Sequence, residues 1–324
     1  MKTKFLFTIL FITTFCVSAV QAQDAPSFSV AGSVDTYYRS SEYAPGTSFA
    51  NLNGFALGMA NIVLSYEGEK SGFVADLVYG PRGADAVFNS SGSSSIVNQL
   101  YVYYNLSDGF TLTLGNFNTF LGYEVISPTG NFNYSTSYMF SNGPFSHTGI
   151  KADIALSDNA SLMLGVLNST DYTEAQPVAD DYMFGAQLGL YGQYVNMITG
   201  NGVTQYDFTG GFDLSEDFFL GINGAYQVSD DAGFYGVALY PQLATSETFS
   251  IGLRGELFGL HADGADDLPS VFATTLTGSY TVENLTIKPE VRLDSWSNAE
   301  PYVDNDGLAT DSLSAFTIAA IYSF

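Results

Sequence analysis

Basic residues are the scarcest chemistry in this chain: nine Lys and Arg stand against 33 Asp and Glu in 324 residues. Phosphate recognition needs a basic footprint, so nucleic acid is excluded as a partner. Cysteine occurs once, as Cys16, and histidine twice, as His147 and His261. Cys/His metal clusters and thiol catalysis therefore have no material, and neither a metal nor another cofactor is expected. Gly-rich phosphate loops are missing too. After residue 22 the chain lacks the run of about 18 apolar residues that a membrane helix requires.

What is present begins with Lys2 and Lys4 ahead of an apolar stretch from Phe5 to Val20, followed by Gln21 and Ala22. That layout reads as a secretory signal peptide over residues 1–22, cut after Ala22. Cys16 leaves with it, so the exported chain has no disulfides. Residues 23–324 retain seven basic and 33 acidic side chains, a net charge of −26. Yet charged residues make up only 13% of the chain, while aromatics reach 15% and glycines number 33. An exported, aromatic, Gly-rich chain with few charges and no long apolar run fits a transmembrane β-barrel, whose apolar residues are diluted by alternation along each strand.

Period-two alternation marks sixteen strands, near 27–38, 54–67, 71–80, 96–106, 110–117, 146–156, 160–168, 181–190, 192–200, 204–214, 217–228, 232–243, 246–260, 270–282, 284–297 and 313–324. The eighth and ninth are the weakest, and without them the count is fourteen. Every second connection is short and built alike: Ser107-Asp108, Ser157-Asp158, Ser215-Glu216 and Ser246-Glu247 each open one. A hydroxyl followed by a carboxylate can bond turn amides and favour a tight hairpin. The intervening connections are mostly longer, at 39–53, 81–95, 118–145, 169–181, 261–269 and 298–312. Short turns at one end and long loops at the other imply an all-β, antiparallel, up-and-down outer-membrane barrel with both termini in the periplasm. Outer-membrane lipid and lipopolysaccharide would surround it.

Parity assigns faces. In the segment from Leu285 to Asp294, the apolar residues share one parity, and Lys288, Glu290, Arg292 and Asp294 share the other. A charge at mid-membrane on the lipid face costs about 2–4 kcal/mol, so these four must face the interior. Arg254 and Glu256, Lys151 and Asp153, and Arg39 follow the same rule. Such residues either line a pore and set its selectivity or brace the wall as salt bridges, and one set can do both. The chain ends on Phe324, with Tyr322, Ala320, Ile318 and Phe316 at alternate places before it. That pattern resembles the outer-membrane sorting signal read by the barrel-assembly machinery.

The segments Gly115 to Val125, Asn133 to Phe140 and Gly143 to Gly149, with the later Leu253 to Phe258 and Lys288 to Asp294, resemble the OmpL-like β-barrel porins of Gram-negative bacteria. The resemblance runs in order over most of the exported chain. It implies an outer-membrane porin passing small solutes, and it is the only ground for a homotrimer.

Sixteen strands leave an aqueous channel unless something fills it. The third long loop, 118–145, holds Phe120, Tyr123, Tyr134, Tyr138 and Phe140, too much apolar area to leave in water. It is expected to fold inward and constrict the lumen, with Glu124 as its one charge near the pore. Acidic residues crowd the other outer loops: Glu42, Asp85, Asp171, Glu174, Asp180, Asp181, Asp230, Asp231, Asp263, Asp266, Asp267, Glu300, Asp304, Asp306 and Asp311. Such a rim should enrich cations within a Debye length of about 8 Å, unless divalent ions bridge it to lipopolysaccharide. Asp304, Asp306 and Asp311 form a fragment of calcium-loop spacing, but Tyr302, two before Asp304, cannot ligate through a carboxylate, so the match to a full loop fails. His147 beside Ser146, and His261 beside Asp263, are too nonspecific to suggest a hydrolase. The reading is a non-enzymatic passive diffusion channel for small polar solutes or ions. The alternative is a non-conducting surface barrel, an adhesin, receptor or scaffold with a plugged lumen.

Overall fold

The computed structural model describes residues 26–173 and 182–324; the signal peptide, Cys16, Glu174, Asp180 and Asp181 lie outside them. The wall contains β1 (Ser27–Arg39), β2 (Gly54–Glu67), β3 (Ser71–Tyr79), β4 (Val97–Ser107), β5 (Phe110–Asn118), β6 (Ser146–Ser157), β7 (Ala160–Leu167) and β8 (Met183–Leu190). It continues through β9 (Gln193–Gly200), β10 (Val203–Asp213), β11 (Phe218–Ser229), β12 (Ala232–Ala244), β13 (Phe249–Ala262), β14 (Ser270–Val282) and β15 (Leu285–Ser297). A two-residue hairpin, β16 (Tyr302–Val303) with β17 (Ala309–Thr310), sits in the last loop before β18 (Ser312–Ser323). Each wall strand pairs antiparallel with its sequence neighbours, and β1 pairs with β18 to close a sixteen-strand barrel. Closure leaves no unpaired edge, which a hydrocarbon surround requires. The terminal residue completes the seam: Phe324 and Gly32 exchange backbone hydrogen bonds of 3.0 Å.

The weak eighth and ninth strands form because their turns are strongly specified. Tyr191-Gly192 and Asn201-Gly202 both have positive φ at each central residue, near 52° and 78° and near 51° and 77°. This mirror-image turn matches the right-handed twist of two-stranded ribbons. The short turns at the end carrying both termini use only half of the expected chemistry. The Ser215 hydroxyl accepts the Phe218 amide at 3.1 Å, and the Ser246 hydroxyl accepts the Phe249 amide at 3.1 Å. The neighbouring carboxylates of Glu216 and Glu247 take no hydrogen bond among the described residues and stand in solvent, because the shorter hydroxyl already satisfies the turn.

The outer face is apolar and exposed, as at Leu57, Val102, Leu114, Val195, Leu276, Val291 and Ile318. Aromatics gather toward its two rims: Phe55, Tyr226, Tyr235 and Phe272 at the long-loop end, and Tyr66, Tyr104, Phe212, Tyr280 and Tyr322 at the other. This is the girdle arrangement of a membrane barrel. Irregularities in the ladder fall beside interior charges. The register between β1 and β2 shifts at Val34/Thr36, leaving Asp35 unopposed, and between β3 and β4 it shifts beside the buried Asp76.

Candidate functional site: the barrel interior

Loop 3, residues 119–145, runs inside the wall, and the wall charges hold it there. Irregular backbone inside a membrane barrel must find partners for every N–H and C=O. Here carboxylates on the wall take the amides, and cations take the carbonyls. Glu290 on β15 accepts the amides of Tyr134 at 2.7 Å and Ser135 at 3.1 Å. Glu256 on β13 accepts those of Tyr138 at 2.9 Å and Met139 at 2.8 Å, the start of the short helix α2 (Tyr138–Asn142). Arg254 donates to the Ser135 carbonyl at 2.6 Å and Arg292 to the Thr136 carbonyl at 2.9 Å. Lys288 donates to the carbonyls of Pro128 at 3.0 Å and Asn131 at 2.5 Å.

The pleat aligns these groups. Across β13, β14 and β15 the register sets Arg254 opposite Thr275 and Thr275 opposite Arg292, with Glu256, Ala273 and Asp294 as the next inward row. Within this lattice Arg254 bonds Glu124 at 2.7 Å, and Arg292 engages both oxygens of Asp294 at 2.9 and 3.0 Å. Buried pairs of this kind are stabilised when their remaining donors and acceptors are filled; the Ser135 and Thr136 carbonyls and the Thr275 hydroxyl take guanidinium donors, while the Arg254 Nε has no hydrogen-bond partner among the described residues. The Asp294 carboxylate lies 2.7 Å from the Tyr138 hydroxyl and 2.9 Å from that of Tyr302, and the two hydroxyls also touch, so their two protons are shared among three contacts. Burial, above all, pushes the Tyr138 phenol well above its ordinary range, with Arg292 opposing and Asp294 adding to the rise. Tyr134 is raised in the same way by burial and by Asp35, whose carboxylate accepts its hydroxyl at 2.6 Å. Both phenols are neutral donors.

Four of the loop's seven aromatics, Phe120, Tyr123, Tyr134 and Tyr138, pack on rings of the wall. Phe120 lies 5.0 Å from the His147 ring, and Tyr123 stacks on Tyr240 at 4.2 Å. Tyr134 lies against Tyr37, and Tyr138 between Phe258 and Trp296. Phe140 stacks on Phe145 at 5.0 Å and joins Phe49. Arg39 is buried and donates to Asn53 and the Pro45 carbonyl of loop 1. Thus Arg39, Glu124, Arg254, Glu256, Lys288, Glu290, Arg292 and Asp294 are all buried under loops.

Lys151 and Asp153 differ. They bond one another at 2.8 Å, and their side chains keep 23% and 28% of their exposure. Both share the inward parity of β6, since Ile150 is exposed on the outer face. Thr113 and Thr111 oppose them on β5, with the half-buried Tyr103 opposite Thr113 on β4. The two threonines are themselves buried, the Lys151 ammonium lies 5.4 Å from the Phe117 ring, and no group of loop 3 bonds Lys151 or Asp153 among the described residues.

Parity could have added Asp35, Asp76 and Asp207, which share the inward face of their strands. Asp76 bonds Asn98 at 2.6 Å and Asn61 at 3.2 Å; Asp207 bonds Asn196, Asn223 and the Gly122 amide of loop 3. Arg82 had no such signal. It sits in helix α1 (Pro81–Ala86) of loop 2 and donates to the carbonyls of Ile126 and Tyr134. His147 is fully buried, 2.8 Å from the Thr119 hydroxyl. His261, expected in an outer loop, belongs to β13, where it stacks on Tyr226 at 4.8 Å and meets the Gln227 carbonyl. Neither histidine meets a carboxylate among the described residues, and no group of three or more His, Cys, Asp or Glu there could hold a metal. Asp304 accepts the Asp306 and Leu308 amides of its own turn.

Solved barrels share this architecture. The loop L8 deletion mutant of OmpT, an outer membrane protein of Vibrio cholerae, matches with a TM-score of 0.61 at 11% identity, over 93% of this chain and all of that one. OmpF of Salmonella typhi, in complex with daunomycin, matches at 0.61 and 10% identity, over 92% of this chain and 97% of that chain. A BenF-like porin from Pseudomonas fluorescens matches at 0.51 and 9% identity, over 92% and 98%. At such identities the likeness is one of fold. A comparison with curated proteins found no match. The family model described as "Putative beta-barrel porin-2, OmpL-like" matches residues 27–324, which contain every strand of the wall. The chain belongs to this family of OmpL-like β-barrel porins.

Proposed function

We propose that the protein is a non-enzymatic outer-membrane diffusion channel whose open path runs along β4, β5 and β6, beside loop 3 rather than through it. The observation that carries this reading is the Lys151–Asp153 pair. It is an inward-facing ion pair on the membrane-spanning wall that keeps about a quarter of its exposure while eight other inward charges are sealed. An ion pair in a dry lumen would need further hydrogen-bond partners to offset its desolvation; here neither group forms another hydrogen bond among the described residues, and the Lys151 ammonium lies 5.4 Å from the Phe117 ring. Loop 3 narrows the lumen from the opposite side. Small polar solutes and ions are the permeants that a passage beside Lys151 and Asp153 suits. The acidic rim at Asp263, Asp266 and Asp267, exposed in the connection between β13 and β14, biases entry toward cations.

Residues 1–22 act as the export signal, and the Phe324 strand is handed to the assembly machinery. A homotrimer is supported by the Vibrio cholerae OmpT, which has a trimer form. The decisive experiment is single-channel recording of the refolded protein in a planar bilayer under a KCl gradient. Stable steps with a reversal potential toward K⁺ are expected. A folded but silent barrel would refute conduction and make the locked loop a plug, the arrangement of a surface receptor or scaffold. A reversal toward Cl⁻ would place control on Lys151 alone.

A further inference from the structure

The end of the barrel that carries both termini contains a second feature, independent of the path along β6. A cavity of about 310 Å³ opens there beneath loop 3, between β9 and β13. Four aromatic residues line it: Phe132 from loop 3, Tyr194 from β9, and Phe218 and Phe219 from β11. Three carboxylates line it as well: Asp213 at the end of β10, and Glu216 and Asp217 in the turn that follows. No Lys, Arg or His is among its lining residues. We infer that this cavity is a binding site for small organic ammonium ions with an apolar body.

The rings have a fixed seat. The Phe219 ring lies over Gly211, where an added Cβ would stand 2.1 Å from its tip, and Phe132 lies over Gly252, where it would stand 2.4 Å from the ring edge. Any larger residue at either glycine would displace the ring from this seat. The carboxylates are free in a way that their turn explains. The Ser215 hydroxyl bonds the Asp217 and Phe218 amides, so the turn needs no acid, and none of the three acids forms an ion pair among the described residues. Three negative charges without an ion-pair partner among the described residues, beside four aromatic residues, form a site for a weakly hydrated cation, attracted by the ring quadrupoles and by the carboxylates together. A hydrated metal ion gains little from rings, and an anion is repelled. The volume is at the lower end of small-molecule pockets.

The test is equilibrium binding of benzyltrimethylammonium to the folded, full-length barrel in detergent, followed by saturation-transfer NMR and calorimetry. It needs no conduction, so its failure and that of the channel reading are separate. Saturable binding is expected, with benzyl alcohol, which lacks the charge, showing none. Asp213→Asn, Glu216→Gln and Asp217→Asn together should weaken binding about tenfold or more, and Phe219→Leu about fivefold. The matched outer-loop variant, Asp263→Asn with Asp266→Asn and Asp267→Asn, should leave it unchanged. The inference is overturned if the folded wild type shows no saturable binding, if benzyl alcohol binds equally, or if only the outer-loop variant weakens it. Heat-modifiable migration and β-sheet circular dichroism confirm that each variant is folded.

Discussion

Removing the Arg254 side chain should loosen loop 3 without opening the barrel. The guanidinium is fully buried and makes three hydrogen bonds: to Glu124 at 2.7 Å, to the Ser135 carbonyl at 2.6 Å and to Thr275 at 3.0 Å. Arg254→Ala leaves the Glu124 carboxylate, itself only 3% exposed, without its cation. Removing one partner of a buried ion pair costs about 3–5 kcal/mol, because the survivor stays desolvated and unpaired. At 1.4 kcal/mol per tenfold, the closed-to-open ratio of the adjoining loop segment falls about a hundred- to a few-thousand-fold. The wall does not share that loss: the ladder bonds of β13 to β12 and β14 are backbone bonds that the side chain does not join. Nor does the whole loop swing free, since Glu290, Glu256, Arg292 and Lys288 keep their contacts with it. Hydrogen exchange read by mass spectrometry should show deprotection of that size at peptides spanning 133–137, with β13 to β15 unchanged. Arg254→Met combined with Glu124→Gln, which removes both charges, should recover most of the protection. Unchanged exchange in Arg254→Ala, or loss of protection throughout the wall, would refute the reasoning.

Three further outcomes follow from the same geometry. Lys151→Glu should move the reversal potential in a KCl gradient further toward K⁺, whereas Lys288→Met, at a cation sealed beneath loop 3, should leave it unchanged; equal shifts would show that both line the path. Gly58→Ala should destabilise the barrel by about 1–3 kcal/mol in urea titration, because its Cβ would stand 1.7 Å from an Asp35 oxygen and displace that carboxylate from the Met59 amide and the Tyr134 hydroxyl. Asp171, in loop 4, is pushed up to about 6, mainly by burial, against the lowering effect of the Phe145 and Ser146 amides that it accepts. Its folded value lies above the unfolded one, so the neutral form favours the fold. Its contribution is fully present below about pH 4 and is lost as pH rises through about 6. Asp171→Asn, which keeps the accepting oxygen, should flatten that slope in hydrogen exchange of residues 145–148 measured at pH 4 and pH 7.5.

The wall was legible from residue order alone. All sixteen strands lie within a few residues of their period-two segments, because the pleat sends successive side chains to opposite faces and a membrane barrel makes one face apolar throughout. For the same reason the inward direction of Lys288, Glu290, Arg292 and Asp294 needed no coordinates, and Asp35, Asp76 and Asp207 could have been read in the same way. What these charges bind was not legible. Glu290 meets the amides of Tyr134 and Ser135, 156 and 155 residues away, and Arg82 meets the carbonyls of Ile126 and Tyr134. Peptide groups are identical at every position, so no side-chain pattern marks which of them a charge will meet. That pairing is set by barrel closure and by the path of loop 3 across the lumen. Whether an inward charge is sealed, as at Arg254, or left in water, as at Lys151, depends on which arc of the wall the loop covers. That is a property of the closed barrel and of no local segment.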